Sequence, residues 1–397
     1  MASGPLVFGS QTSLREANRA RIVETIKSFG GLTQVELADA TGLSSATVSI
    51  IVKELVHAGI VATRSTSRNG RRAIHVTLAR RLGLVAGIHF SRRYLRVALA
   101  DLSGEIVAEH GLPLSSDHRA DTGLDRAALL ITDMMTSIEA EREELLQVCL
   151  GLSAPLSSAT GAIYTPGILR GWDGLDIAAA LEQRLHVPVL IDNDANLGAL
   201  AECRAGAGRE SRMVVYLNVN EGIGAGLYLN GDIVRGATGA AGEIGHMSSD
   251  ENGPICYCGN RGCLEMVAGS RAMLESLRPT HGDLRLSDLV AKAHEGDPGC
   301  RRVIGDSARR IGIALAQVCN ILDPERVVVG GAIAATGDLF LDPLRVVTAR
   351  HTLPGEGPSI DIVAGCLGER AEVTGAIFAA LGAVTVPAGT LPLARSA

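Results

Sequence analysis

The sequence predicts an α/β body preceded by a small winged helix-turn-helix domain. Apolar residues recur at helical spacing through the first 60 residues, and strand-like and helix-like segments alternate from Leu82 onward. Residues 1–80 hold ten Lys and Arg against five Asp and Glu, a net +5 in a chain whose total is −6, so the remainder carries −11. A basic segment on an acidic body is typical of a domain that meets a polyanion. Charge alone leaves a chance surface fluctuation equally open.

The composition is that of a globular protein with two or three domains. The 397 residues are 46% hydrophobic and 20% charged, and only 3% are aromatic, so the cores must consist of Ala, Val, Leu and Ile. No apolar run approaches the ~20 residues that span a bilayer. Residues 1–13 lack the basic-then-apolar order of a secretory signal. We therefore expect a cytoplasmic protein with no membrane partner.

Two helices are predicted before residue 43. The first helix stops at Gly30-Gly31. Its apolar face consists of Ile22, Val23, Ile26 and Phe29. Thr33–Glu36 has the pattern of a capping box, in which the Thr33 hydroxyl and the Glu36 carboxylate each accept a free backbone amide. The short helix that it opens is expected to end near Gly42.

A third helix is predicted to begin after its N-cap, Ser44. Its apolar face follows helical spacing and consists of Val48, Ile51, Val52, Leu55 and Val56. Small polar residues near the N-terminus of such a helix can approach bases and phosphates in a major groove. The candidate DNA contacts on this helix are Ser44, Ser45, Thr47, Ser49 and Lys53.

A basic hairpin is predicted after Gly59, which ends the third helix. Its strands are expected at Ile60–Thr63 and Ala73–Leu78, with an Asn-Gly turn signal between them. A basic wing beside a helix-turn-helix can contact phosphate or the minor groove, and its candidate contacts are Arg68, Arg71 and Arg72. A packing or dimerisation module with a solvated hairpin is the alternative. The order, spacing and charge together favour binding to double-stranded DNA.

The body shows strands alternating with helices. Buried strands are predicted at Leu84–Ile88, Leu95–Ala100, Gln147–Leu152 and Val187–Asp192, with a further strand at Glu105–Glu109. A helix is expected around Leu124–Glu141. This alternation predicts an α/β domain over residues 81–397, following a DNA-binding domain over residues 1–80.

A compact set of cysteines indicates a metal centre. His246 is followed, after nine residues, by Cys256, Cys258 and Cys263. A tight cluster of this kind outside a secreted protein favours metal over disulfides. One imidazole and three thiolates form the closed tetrahedral shell of a structural Zn²⁺. Three unreactive thiols beside a chance histidine are the alternative.

Two further motifs complete a family pattern. Asp192–Asn196 follows a predicted strand, and Gly242–His246 leads into the cysteine loop. With these motifs, residues 82–385 resemble the ROK family (repressors, open reading frames and sugar kinases), whose fold is the two-lobed actin-like ATPase. With its N-terminal domain, the whole chain is similar to the family's xylose and N-acetylglucosamine repressors.

The resemblance implies a site for each motif. It assigns His246 and the three cysteines as zinc ligands. It implies that Asp194 matches the general base of the kinases, and that the sugar is held by Asn193, Asp194, Glu243, His246 and Glu265. We expect one His246 ring nitrogen on the metal and the other on the sugar. The lobes are expected at about residues 81–191 with the C-terminal helix, and about 192–370. The Gly167–Gly174 loop, with Trp172, is expected near the sugar.

The chain departs from the kinases of the family at the first phosphate loop. Residues 87–93 carry His89 where the kinases carry the Asp that organises Mg-ATP, and Ser91 and Arg92 where they carry paired glycines. A histidine suits Mg²⁺ poorly, and the side chains crowd the phosphate path. Glu221 replaces a usual Thr in the second phosphate motif, where its charge would repel ATP. The Val327–Ala332 segment is expected to be a strand-to-helix glycine turn retained for folding.

The sequence therefore predicts a regulator, with no catalytic residue and with Asp194 as a vestigial base. The resemblance implies a repressor of sugar uptake or catabolism genes that binds a sugar or sugar derivative. It further implies a homodimer or homotetramer and an inverted-repeat operator. An ATP-dependent sugar kinase with an accessory DNA-binding domain is the alternative, and a zinc-stapled scaffold without a DNA role is a third possibility.

Overall fold

The N-terminal domain is a three-helix unit with a three-stranded sheet. The structure is a computed structural model, and it describes residues 11–68, 71–115, 118–164, 168–169, 171–353 and 360–384. The elements of this domain are α1 Gln11–Phe29, β1 Leu32–Thr33, α2 Gln34–Thr41, α3 Ser45–His57, β2 Val61–Arg68 and β3 Arg71–Leu78. The strand order is β1-β3-β2, with both pairings antiparallel.

Both predicted helix caps are present. Thr33 and Glu36 form the capping box of α2, and Gly42 ends that helix with φ +67°. The Ser44 hydroxyl accepts the Thr47 amide at 3.1 Å and so caps α3. Two of the residues predicted on apolar faces, Phe29 and Val56, are 73% and 42% exposed. Both residues lie at the edge of the apolar face of their helix, where the small core does not cover them.

The wing is longer than predicted. Its strands extend through Arg68 and from Arg71, so most of the expected loop is paired. Arg68 lies opposite Arg71 in the register, which leaves a two-residue connection between them. The predicted Asn-Gly turn at residues 69–70 lies outside the described residues. The side chains of Arg68, Arg71 and Arg72 also lie outside the described part.

The first lobe is a five-stranded sheet with helices on one face. Its elements are β4 Leu84–Phe90, β5 Tyr94–Asp101, β6 Ile106–Pro113, α4 Ala120–Ser137, β7 Leu145–Leu152, α5 Ile177–Leu185 and β8 Val189–Asn193. The order is β6-β5-β4-β7-β8, in which β4, β7 and β8 are parallel. Helices α4 and α5 cover one face through Leu124, Ile131 and Leu181, all fully buried.

The second lobe has a sheet of the same kind. Its elements are α6 Asp194–Ala205, β9 Met213–Val219, β10 Ile223–Leu229, β11 Asp232–Ile233, α7 Leu264–Ala268, α8 Ser270–His281, α9 Leu286–Glu295, α10 Pro298–Leu322, β12 Arg326–Gly330, α11 Asp338–His351 and β13 Asp361–Ala364. The order is β11-β10-β9-β12-β13. The predicted glycine turn after β12 is present, with Gly331 at φ +84° leading into a 3₁₀ turn.

Two helices lie between the sheets. Helix α12, Ala371–Ala383, packs on β4 and β7 of the first lobe, whereas α6 packs on β9 and β10 of the second. The two helices also pack on each other, and they approach so closely at Gly375 that a Cβ there would lie 1.9 Å from the Leu197 carbonyl oxygen. This pair of sheets around two helices is the α/β architecture predicted for the body.

The N-terminal domain packs directly on the first lobe. Its core residues Ile26, Leu55 and Val61 belong to the same buried cluster as Ile377 and Leu381 of α12. Polar contacts join the same parts of the chain. The Lys27 ammonium donates to the Val384 carbonyl, and the Arg64 guanidinium pairs with Glu105 at 3.0 Å.

The predicted boundary at residue 80 falls in a 3₁₀ turn, Arg80–Leu82, which leads into β4. No single described helix is long and apolar enough to cross a membrane. The one bent pair that passes on length and composition consists of α2 and α3, at 114°. The buried apolar residues of that pair belong to the core of the N-terminal domain.

Candidate functional site: an interlobe cleft beside a cysteine-histidine cluster

A polar cleft lies between the two lobes and encloses about 540 Å³, including its open mouth. All five residues predicted to hold a sugar line it. The full lining is Ser91, Arg92, Ser153, Ala154, Pro155, Ile168, Asn193, Asp194, Asn218, Asn220, Glu221, Gly222, Ile223, Gly224, Glu243, His246, Tyr257 and Glu265. These residues come from eight segments of the chain, and the ends of β4, β7, β8 and β9 bring four of them together.

Asp194 lies at the junction of β8 and α6. Asn193 caps α6 by accepting the Ala195 amide at 2.8 Å, and its side-chain amide donates to the Ala154 carbonyl at 3.0 Å. The Ser153 hydroxyl donates to the Asp194 carboxylate. These bonds hold both side chains at the cleft wall and leave oxygen lone pairs for a ligand. Ser153 had no sequence signal beyond its position after a strand.

Two other carboxylates face Asp194. Glu265 accepts the Tyr257 hydroxyl at 2.6 Å and the Ile223 amide at 3.2 Å. Among the described residues, none donates a hydrogen bond to the Glu243 carboxylate. Burial together with the charges of Asp194 and Glu265 raises the pKa of Glu243 to about 7. Such a set of acceptors is suited to hydroxyl groups, each of which can donate to a carboxylate.

His89 lies behind Asp194. The imidazole is 7% exposed, and its Nε2 is 3.9 Å from the Asp194 carboxylate, which is ion-pair distance but too long for a hydrogen bond. Burial by itself lowers the pKa of His89, but Asp194 and the nearby charge of Glu372 outweigh burial and raise it above its ordinary value. Glu372 lies in the first turn of α12 and accepts the Tyr216 hydroxyl at 3.2 Å.

The predicted metal ligands converge on one point. The ligand atoms of His246, Cys256, Cys258 and Cys263 all lie within 4.8 Å of one another. His246 Nδ1 is 3.6 Å from Cys256 Sγ, and Cys258 Sγ is 3.6 Å from Cys263 Sγ. A tetrahedral Zn²⁺ with bonds of about 2.0–2.3 Å requires ligand separations of about 3.5–3.8 Å. The residues present therefore fit such an ion.

His246 stands between the cysteine-histidine cluster and the cleft. Its Nδ1 faces the thiols, whereas its Nε2 is 3.9 Å from the Glu243 carboxylate on the cleft side. The ring packs edge-on against Tyr257, with centroids 5.3 Å apart. Tyr257 lies inside the cysteine motif and contacts both His246 and Glu265. Sequence reasoning missed it, although its position between two ligands is a usable signal.

The turn between β4 and β5 reaches across to the second lobe. Arg93 Nε lies 3.4 Å from the Glu221 carboxylate, and the Arg92 guanidinium lies 5.8 Å from the Tyr257 ring centre. Arg92 lines the cleft, whereas Arg93 is on its rim with its side chain 62% exposed. Glu221, whose charge was expected to repel ATP, is paired with Arg93.

The loop that carries the single tryptophan meets the cleft through Ile168. Trp172 itself is 1% exposed and packs edge-on against Phe90 at 5.1 Å, beneath the cleft wall. Residues 167 and 170 of the expected loop lie outside the described part of the chain. Trp172 itself is not among the residues that line the cleft.

The face of α3 opposite the core is open. Ser44, Ser45 and Lys53 are exposed, whereas Thr47 and Ser49 are half-buried. Ile50, which lies outside the predicted apolar face of α3, is 55% exposed on the outer side of the helix. An apolar side chain there can contact a thymine methyl. The one acid of α3, Glu54, is already paired with Arg15 and Arg19.

Comparisons with known proteins agree with this arrangement. Residues 85–382 match the ROK family, and residues 16–73 match the MarR family. The xylose repressor of Bacillus subtilis is 28% identical over 93% of this chain and 96% of its own length. The DNA-binding transcriptional dual regulator NagC of Escherichia coli is 27% identical over 93% of this chain and 94% of its own.

Solved structures show the same fold. A ROK family transcriptional regulator, described as a homologue of the E. coli MLC protein, superimposes with a TM-score of 0.69 at 24% identity, covering 92% of this chain and 95% of its own. A Streptomyces griseus ROK family glucokinase, in complex with glucose and AMPPNP, has a TM-score of 0.66 at 26% identity and covers 75% of this chain and 99% of its own. The chain, with its N-terminal winged helix-turn-helix, belongs to the ROK family.

Proposed function

We propose that this chain is a sugar-responsive transcriptional repressor, with residues 1–80 as the DNA-binding domain and residues 81–397 as the effector domain. One observation carries the proposal: an open recognition helix and an acceptor-lined cleft occur in one chain whose relatives, matched over nearly their full length, are named repressors. The DNA contacts are proposed to come from Ser44, Ser45, Thr47, Ser49 and Lys53, and from the wing arginines Arg68, Arg71 and Arg72. Such a protein acts on DNA in the cytoplasm.

The proposed ligand of the cleft is a sugar. Asn193, Asp194, Glu243, His246 and Glu265 would receive its hydroxyl groups, since carboxylates and amides can each make paired bonds to neighbouring hydroxyls. A site of this kind rejects analogues that lack a hydroxyl, because its buried acceptors would then be left without a donor.

We propose that the cysteine-histidine cluster holds a structural Zn²⁺ through His246, Cys256, Cys258 and Cys263. When bound, the ion closes the 246–263 loop with a shell that leaves no open position for chemistry. Tyr257 projects from that loop and donates to Glu265. His246 turns its second nitrogen toward the cleft. The loop thus positions two sugar-facing groups.

The signal is proposed to pass from the cleft to the DNA-binding domain through α6 and α12. Asp194 begins α6, which packs against α12 at Gly375 without room for a side chain. Helix α12 in turn shares a buried cluster with the N-terminal domain. A sugar that binds one arrangement of the lobes more tightly shifts this assembly and with it the placement of α3.

Two copies of the chain are proposed to bind an inverted repeat. The test begins with a DNA fragment selected by the full-length protein from random sequence. Its affinity is measured by fluorescence anisotropy, with and without sugars shown to bind by calorimetry. We expect a saturating sugar to weaken DNA binding at least about tenfold. An unchanged DNA affinity in saturating sugar would contradict the proposal.

The alternative function, an ATP-dependent sugar kinase, is disfavoured by the β4–β5 turn. Arg92 lines the cleft, and His89 stands beside Asp194 where a carboxylate would be needed for Mg²⁺. Phosphoryl transfer depends on positioning and charge neutralisation of the phosphates. We therefore propose that the chain does not turn over ATP. ADP release with Mg-ATP and a sugar panel, lost in Asp194→Asn, would overturn this.

A further inference from the structure

The charges of the cleft are mostly negative. Among the residues that line it, one guanidinium, Arg92, faces four carboxylates. The carboxylates belong to Asp194, Glu221, Glu243 and Glu265. The second arginine, Arg93, stands on the rim and already pairs with Glu221 at 3.4 Å. Neither arginine faces the cleft without a carboxylate or an aromatic ring beside it, so the cleft offers little uncompensated positive charge to an anion.

Two buried acceptors in the cleft lack donors. Within the described part of the chain, Asn218 Oδ1 and Glu221 Oε2 have no hydrogen-bond partner and almost no exposed area. Asn218 is only 5% exposed and lies at the end of β9, where its side chain lines the cleft. A buried acceptor is left unsatisfied unless a ligand or water supplies a proton donor.

Hydroxyl groups and phosphate differ in what they offer such acceptors. A hydroxyl donates a hydrogen bond, whereas a phosphate dianion presents only acceptor oxygens and negative charge. Placed beside Asn218 and Glu221, a phosphate would leave both acceptors without donors and would add repulsion from the carboxylates. The unsatisfied acceptors and the negative charges of the cleft therefore both favour a hydroxyl group over a phosphate.

We propose that Asn218 and Glu221 form a hydroxyl-accepting subsite that makes the effector an unphosphorylated sugar and excludes the corresponding sugar phosphate. This inference rests on the proposed function, in which the cleft binds a sugar. It adds two specificity-determining residues outside the predicted sugar set, and it fixes the charge of the ligand. Asn218 had no signal in the sequence, and Glu221 was expected to act only against ATP.

The test compares each sugar with its own phosphate. Full-length protein is titrated calorimetrically with a panel of pentoses, hexoses and N-acetylhexosamines, including xylose, glucose and N-acetylglucosamine, and with a phosphate ester of each of these sugars. We expect at least one uncharged sugar to bind, and its phosphate to bind at least about 100-fold more weakly. A phosphate that binds as tightly as its parent sugar, or a panel in which nothing binds, would overturn the inference.

A pair of variants tests whether Glu221 is responsible for the preference for the uncharged sugar. Glu221→Gln keeps the shape but replaces the carboxylate with an amide that can donate. We expect this variant to reduce the preference for the uncharged sugar by about tenfold or more, because the sugar should bind more weakly and its phosphate more tightly. Glu295→Gln changes the net charge equally on the exposed end of α9 and should leave the preference unchanged. A preference that is the same in both variants would remove Glu221 from the subsite.

The outcomes separate this inference from the proposed function. If a sugar phosphate binds tightly and releases DNA, the proposed repressor function is supported and the hydroxyl-accepting subsite is contradicted. If an uncharged sugar binds selectively but leaves DNA affinity unchanged, the subsite is supported and the proposed control of DNA binding by the sugar is contradicted. Thermal unfolding of Glu221→Gln, compared with Glu295→Gln, establishes that both variants are folded before their affinities are compared.

Discussion

Gly375 lies where α12 crosses α6, and replacing it with alanine tests whether the two helices move as one unit. A Cβ at Gly375 would lie 1.9 Å from the Leu197 carbonyl oxygen, in a contact between two main chains that no rotamer change can relieve. An ordinary carbon–oxygen contact is about 3.4 Å, so the helices would have to separate by about 1.5 Å. Overpacking of this kind costs about 1–3 kcal/mol, and here we expect the upper end.

The helix itself gains from the same substitution. Alanine is favoured over glycine inside a helix by about 1 kcal/mol. The net expectation for Gly375→Ala is therefore a loss of about 2 kcal/mol in the free energy of unfolding. Gly382 provides the control, because it lies in the same helix and a Cβ there has no atom of the described residues within 4 Å. Gly382→Ala should gain about 0.5–1 kcal/mol.

The two variants differ by about 3 kcal/mol and in sign, which places their melting temperatures several degrees apart. Differential scanning calorimetry measures this difference. Calorimetric titration with the sugar measures whether Gly375→Ala also lowers the sugar affinity of the cleft that Asp194 lines. Equal melting temperatures would refute the close packing of α6 on α12. A normal sugar affinity together with a normal DNA response in Gly375→Ala would refute the proposed relay.

Three further outcomes follow from the structure. Cys258→Ser should lower zinc, measured by mass spectrometry, from about one equivalent per chain to well below that and should weaken sugar binding, whereas Cys366→Ser should change neither; full zinc in Cys258→Ser would contradict the assigned ligands. Ile50→Asn should weaken DNA binding about tenfold or more without lowering the melting temperature, because Ile50 is 55% exposed; a folded variant with full affinity would remove α3 from the interface. The raised pKa of His89 means that its ion pair with Asp194 stabilises the fold fully below about pH 6.5 and loses that effect as the pH rises through the folded value. The melting temperature of the wild type should therefore exceed that of His89→Asn most at pH 5–6, and a gap that widens toward pH 9 would contradict this sign.

Local sequence signals predicted the parts of the fold whose cause is local. The capping box at Thr33 and Glu36 depends on residues three apart, and the structure contains it. The strand-helix alternation of the body and the ROK resemblance were likewise confirmed by the fold and by the family match over residues 85–382. The spacing of His246 and the cysteines predicted a cluster, and the structure places the four ligand atoms within 4.8 Å of one another.

Contacts between distant segments had no such signal. The Lys27 bond to the Val384 carbonyl joins residues 357 positions apart. Nothing in the residues around Glu221 indicated that Arg93 would reach it from the other lobe. The loop that carries Trp172 was expected near the sugar, and within that loop the large apolar ring of Trp172 lies in the core of the first lobe, where it contacts Phe90. Burial of a bulky side chain outweighed the sequence proximity to Ile168, which does line the cleft.

The energetic scale of the proposed switch can be set from these contacts. A tenfold loss of DNA affinity corresponds to about 1.4 kcal/mol of coupling, and linkage requires that DNA weaken sugar binding by the same factor. That energy is smaller than the cost expected for one misplaced methyl group at Gly375, so a small change in how α6 packs on α12 is sufficient. The coupling does not require the hydrolysis of a nucleotide. The cleft is joined to the DNA-binding domain by two helices that pack without a gap between them. The binding energy of a sugar in this cleft can therefore supply the coupling energy by itself.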